Sequence, residues 1–103
     1  MQYNKLVRDK IPAIIMEKDG KVASVSTLSG SALTEALMTK LDEELAEFRE
    51  AQSEEEMADV LEVLYALAGN TDNDWARIER IRLTKRDERG GFDQGVFLEE
   101  VAD

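Results

Sequence analysis

Two pairs of carboxylates stand at positions where a helical core would take leucine. The first pair is Glu44 and Glu47, in KLDEELAEF; the second is Glu56 and Asp59, in EEEMADVLEV. Each pair has i,i+3 spacing, which on a helix makes its members neighbours, with Cβ atoms roughly 5–6 Å apart. In the first segment Leu33, Leu37, Leu41, Leu45 and Phe48 form the apolar stripe. At about 100° per residue, Glu44 projects between Leu33 and Leu37, and Glu47 lies at the stripe's edge. In the second segment the stripe is Val60, Val63, Leu64 and Leu67. Glu56 projects between Val63 and Leu67, and Asp59 flanks Val63. Inward carboxylates cannot remain ionised in a dry core without partners, because desolvation disfavours the charged form. A divalent cation resolves that conflict.

A third segment repeats the pattern with the opposite sign. Trp75, Ile78 and Ile81 define an inner face that continues by projection into Arg82, Lys85 and Arg89. If three helices pack through these stripes, cations and carboxylates converge on one end of one core. That arrangement suits Mg²⁺ with a polyphosphate, the acids holding metal and the bases meeting non-bridging oxygens.

The chain has no histidine and no cysteine. This excludes thiolate or imidazole zinc sites, Cys/His and Ser/His nucleophile systems, and disulfides. Glu-x-x-His di-iron bundles are disfavoured for the same reason. Oxygen-only donors leave the hard cations, Mg²⁺ first and Mn²⁺ second. The net charge of −10 argues against non-specific nucleic-acid or anionic-membrane binding. The charge is uneven: residues 42–62 hold ten acids and one base, whereas residues 77–89 hold six of the thirteen bases. A small phosphorylated ligand therefore remains compatible. No apolar run is long enough for a membrane span and no signal peptide is evident, so a cytoplasmic protein is expected.

The elements that must position these residues are helical. At 103 residues the chain is expected to form one domain, residues 1–103, with one modest core. Pro12 suits the first turn of a short helix over 13–18. Asp19-Gly20 is a turn, and Lys21 to Leu28 reads as an edge strand or an extended loop. Ser29-Gly30-Ser31 offers an N-cap for a long helix over 32–51. Ser53 lies three residues before Glu56, the spacing of a capping box, so the next helix is expected over 54–68 and closed by Gly69-Asn70. A further helix is expected over 74–89, ended by Gly90-Gly91. In the tail, Phe92, Val96, Phe97 and Val101 are expected to dock. Met57, Val60, Leu61, Leu64, Tyr65 and Ala68 extend the apolar stripe of the helix over 54–68 around much of its circumference, so a symmetric homodimer is expected to complete the bundle.

Each feature has a structural alternative. Glu56 can instead complete the capping box with Ser53. Glu44 and Glu47 become surface acids if the helix is rotated, and an acidic run is usually a solvated face. Arg82, Lys85 and Arg89 can snorkel or pair with acids. The coincidence of two inward acid pairs on consecutive helices with an inward basic triplet favours a site.

These residues carry a resemblance. Glu43-Glu44-Leu45-Ala46-Glu47 with Glu56-Met57-Ala58-Asp59 resembles the EExxE…ExxD signature of MazG-like, all-α nucleotide pyrophosphohydrolases. Tyr3 to Pro12 (YNKLVRDKIP) resembles the opening of a small single-domain branch of that superfamily. Lys85-Arg86 with Arg89-Gly90-Gly91-Phe92 resembles its ending. The resemblance implies an all-α helical bundle in which Glu44, Glu47, Glu56 and Asp59 bind Mg²⁺. It implies cleavage of a nucleoside triphosphate to a monophosphate and pyrophosphate, and dimers or higher oligomers. Phosphoribosyl-ATP pyrophosphohydrolases share the acidic helices and stay the alternative enzyme, although they usually carry a Tyr-His pair after the second acidic motif and this chain has no histidine.

The expected chemistry is water attack on the α phosphorus. Glu43 adjoins the metal pair but projects to another face, which makes it the candidate to accept the proton. Lys85 and Arg89, with Lys5 and Arg8 from the LVRDKIP segment, are the candidates to hold β and γ oxygens. A metal- or nucleotide-binding helical regulatory module without catalysis is the alternative from another class.

Overall fold

The computed structural model describes residues 2–103 and contains helices α1 (Ile11–Asp19), α2 (Gly30–Ala51), α3 (Glu54–Asn70) and α4 (Trp75–Arg89). No strand occurs among the described residues, so the all-α expectation holds and Lys21 to Leu28 is irregular chain. No described helix is long and apolar enough to cross a membrane. The residues group into two compact units, the first ending at Asp72 and the second running over Asn73–Asp103.

The first unit is a helical hairpin preceded by α1. Pro12 sits in the first turn of α1, where its missing N–H costs nothing. The helix therefore begins at Ile11, two residues earlier than expected. Gly20 ends it at φ 65°, a left-handed conformation suited to glycine, and its N–H donates to Met16 O. Ser29 precedes α2 with extended backbone but makes no side-chain cap bond. The turn between α2 and α3 is as short as the sequence suggests. Gln52 adopts φ 50° and donates its N–H to Phe48 O at 2.7 Å, and Ser53 Oγ accepts from Glu56 N at 3.2 Å. Glu54, Glu55 and Glu56 then occupy the first turn of α3, where the helix dipole favours acids.

A two-residue connection forces α2 and α3 antiparallel. Asn70 at the far end of α3 confirms this, because its Nδ2 donates to Gly30 O (3.1 Å) and Thr34 Oγ1 (2.8 Å) in the first turns of α2. That tether explains why α3 continues through Gly69 to Asn70 rather than stopping at Ala68. The seam between the helices is Leu37 with Val63 and Leu67, flanked by Leu33, Leu41 and Leu6. Fully burying such side chains contributes about 1.5–3 kcal/mol each. Two helices cover only a narrow arc of each other. Leu45 and Leu64, expected in the stripe, are therefore exposed in this chain.

The second unit is α4 and the tail. Asp74 caps α4, its Oδ1 accepting from Ala76 N at 2.9 Å, and Gly90 ends the helix. Trp75 and Ile78 are partly buried, but Ile81 is exposed, so the inner face is shorter than its projection. The tail corrects an expectation. Phe92, Val96, Phe97 and Val101 are 97%, 88%, 87% and 77% exposed and do not dock in this chain. The residues after Gly90 form no helix or strand, so they present no continuous apolar face.

Candidate metal centre

The hairpin turn brings the two acid pairs to the same height. Glu44 lies seven residues before the end of α2, and Asp59 five residues into α3. At 1.5 Å of rise per residue, both stand within roughly two turns of the connection. Glu44, Glu56 and Asp59 each offer a carboxylate oxygen, and these oxygens all lie within 4.8 Å of one another.

Glu44 is 7% exposed, the one polar or charged side chain buried among the described residues. Its Oε2 is buried without a hydrogen-bond partner among the described residues, as is Glu56 Oε2. Such orphaned oxygens are costly unless something coordinates them. Burial pushes the Glu44 carboxyl above its ordinary value, and the adjoining Glu47 carboxylate pushes it further; Lys40 opposes both.

Of the four expected metal ligands, three form the cluster. Glu47 is exposed and lies outside it, though close enough to act on Glu44. Its place at the stripe's edge accounts for this. Glu56 has a double role: its N–H completes the Ser53 cap, while its side chain leaves Oε2 unpaired rather than satisfying the return bond of a capping box.

Two cations meet the cluster. Arg8 Nη2 donates to Asp59 Oδ1 at 2.7 Å. Lys40 Nζ stands 3.5 Å from both Glu43 Oε2 and Glu44 Oε1. Arg8 was named only through the LVRDKIP resemblance. Lys40 escaped the sequence reading, although its i,i+3 and i,i+4 spacing from Glu43 and Glu44 was a usable signal. Beside Lys40 lies a cavity of about 200 Å³, lined by Asn4, Lys5 and Leu6 and by Thr39, Lys40 and Glu43 of α2. Glu43 thus faces a hollow next to the acids, and Lys5 shares it.

In the second unit, Lys85 and Arg89 are exposed on α4. Arg82 is also exposed and is bidentate to Glu79, at 2.9 and 3.0 Å. Its expected place on a buried face gives way to an ordinary i,i+3 surface pair.

No family model, no curated protein and no solved structure matches this chain.

Proposed function

We propose that the chain is a Mg²⁺-dependent nucleoside triphosphate pyrophosphohydrolase of the MazG-like type, releasing a monophosphate and pyrophosphate. The observation that carries this reading is the buried Glu44 carboxylate, its Oε2 unpaired, gathered with Glu56 and Asp59 within 4.8 Å. The donor set is all oxygen and anionic, which fits Mg²⁺ or Mn²⁺. Glu44, Glu56 and Asp59 would hold the ion, with Glu47, the fourth expected ligand, adjoining Glu44. Bound there, a divalent cation supplies Lewis acidity and offsets charge developing on the phosphate oxygens.

The chain's own residues do the rest. Glu43 lines the adjoining cavity, outside the three-acid cluster, and takes the proton from the attacking water. Arg8 holds Asp59 in place through its 2.7 Å bond, which makes it a positioning residue first. Lys85 and Arg89 contact β and γ oxygens in this reading, on the strength of the basic run in the sequence alone. A homodimer would cover Met57, Leu61 and Leu64, which lie on one exposed face of α3. House-cleaning of non-canonical nucleotides is the role such an activity would serve in the cytoplasm.

A second reading draws on the same ion pairs. Arg8 and Lys40 already engage Asp59 and Glu44, as they would in a non-catalytic binding module. Release of pyrophosphate from a panel of common and modified nucleoside triphosphates, with Mg²⁺ and with chelator, separates the two. Mg²⁺-dependent release supports the enzyme; binding without release supports the module.

A further inference from the structure

Lys40 is placed between two environments. On one side it faces Glu43 and Glu44 at 3.5 Å each, with its side chain only 20% exposed. On the other it lines the cavity shared with Asn4, Lys5, Thr39 and Glu43. Charge-assisted N–H···O bonds normally close to about 2.7–2.9 Å. At 3.5 Å Lys40 is shared between two carboxylates and locked to neither. It answers the charge of Glu44 while leaving Glu44 Oε2 unsatisfied.

The cavity has a composition of its own. It is lined by two lysines, Lys5 and Lys40, by Asn4 and Thr39, by the acid Glu43 that Lys40 already faces, and by the apolar Leu6 and Ala36. Asn4 adopts φ 45°, in the left-handed region that asparagine tolerates better than most residues. Two lysines are point-charge donors suited to phosphate oxygens.

We propose that this cavity is an anion subsite for the pyrophosphate unit of the substrate, with Lys40 exchanging Glu44 for phosphate oxygens once a divalent cation neutralises the acids. The proposal rests on the metal reading above and adds a residue and a location to it. Lys5 is the second cation of the subsite, and Arg8, tied to Asp59, is not part of it. Glu43 then stands at the boundary between the metal cluster and the subsite, 3.5 Å from Lys40.

The test uses the full chain, inorganic pyrophosphate as probe and saturating Mg²⁺, read by calorimetry, with melting in Mg²⁺ alone as the control. The expected result is that wild type binds pyrophosphate and that Lys40→Met and Lys5→Met each weaken binding by about tenfold or more, the scale of one hydrogen bond to a charged group. Both variants should keep the Mg²⁺-induced rise in melting temperature. Lys5 is exposed, so Lys5→Met remains informative even if Lys40→Met loosens the fold. Unchanged pyrophosphate affinity in both variants, with the Mg²⁺ rise intact, overturns the subsite alone and leaves Lys40 a counter-ion. A wild type that shows the Mg²⁺ rise but binds no pyrophosphate overturns it equally. A wild type with no Mg²⁺ rise overturns the metal reading and the subsite together.

Discussion

Arg8 Nη2 lies 2.7 Å from Asp59 Oδ1, a contact that spans 51 residues of sequence. It fastens the segment before α1 to the acidic face of α3. Leu6 packs against the Leu37, Val63 and Leu67 seam from the same segment. Leu6 and Arg8 are thus part of the acid cluster's surroundings. The pair is partly exposed, so its contribution to stability is small, about 0–1 kcal/mol. Its importance is geometric, since it sets where the Asp59 carboxylate points.

Replacing Glu44 should separate stability from activity. Glu44→Gln removes a charge that burial and Glu47 both disfavour. Without Mg²⁺ its melting temperature should equal or exceed that of wild type. The Mg²⁺-induced rise should be lost, because a ligand stabilises only the state that binds it. Hydrolysis should fall by more than about a hundredfold, the scale of losing several kcal/mol of charge stabilisation. Asp59→Ala should behave likewise in activity. A variant with full activity would remove that residue from the metal site.

Glu44 also predicts a pH dependence. Its carboxyl titrates above the ordinary value of 4.5 in the folded chain. Between the ordinary and the raised value the folded chain holds a proton that the unfolded chain has released. Stability contributed by this group therefore falls as pH rises through that window, and the penalty is complete above it. Mg²⁺ competes with the same proton, so its stabilising effect should grow as pH rises through the window. Melting of wild type against Glu44→Gln, at a series of pH values with and without Mg²⁺, reads the difference. A pH-independent difference would contradict the assignment.

The exposed face of α3 predicts association. Met57, Leu61 and Leu64 recur at helical spacing and remain exposed in the single chain. Leu61→Glu places a charge where the partner would pack. Light scattering should show a dimer for wild type at micromolar concentration and a monomer for the variant. A monomeric wild type would contradict the prediction.

Lys85 and Arg89 are exposed, so Lys85→Met and Arg89→Met should leave melting without ligand nearly unchanged. If they hold β and γ oxygens, kcat/KM should drop on the order of 10²–10³-fold, the scale of losing one transition-state donor. The loss should be larger for a triphosphate than for a diphosphate. Equal losses on both would show that neither side chain reads the γ phosphate.

Sequence pattern was a good guide wherever burial was periodic. Glu44 projects between Leu33 and Leu37, and it is buried on the same face of α2 as Leu37; Glu56 projects between Val63 and Leu67, which are both buried. The Ser53 cap and the short turn were legible because capping chemistry is local. Contacts between distant segments were not. Nothing in a periodicity links Arg8 to Asp59, or Asn70 to Gly30 and Thr34, because those bonds depend on how the hairpin closes. The partial burial of Lys40 was not legible either, because it depends on where the segment Asn4 to Leu6 lies against α2. The basic stripe of α4 failed at Arg82, Lys85 and Arg89 alike, because α4 buries none of its residues and Ile81, which leads into the stripe, is itself exposed; Arg82 pairs with Glu79 instead.

The central claim is that Glu44, Glu56 and Asp59 hold a divalent cation for water attack on the α phosphorus. Hydrolysis of nucleoside triphosphates with Mg²⁺ in ¹⁸O-enriched water, with both products analysed by mass spectrometry, tests it most directly. The account predicts ¹⁸O in the nucleoside monophosphate, none in the pyrophosphate, and no turnover with chelator. Label in the phosphate leaving group, or no pyrophosphate from any triphosphate of the panel, would contradict it.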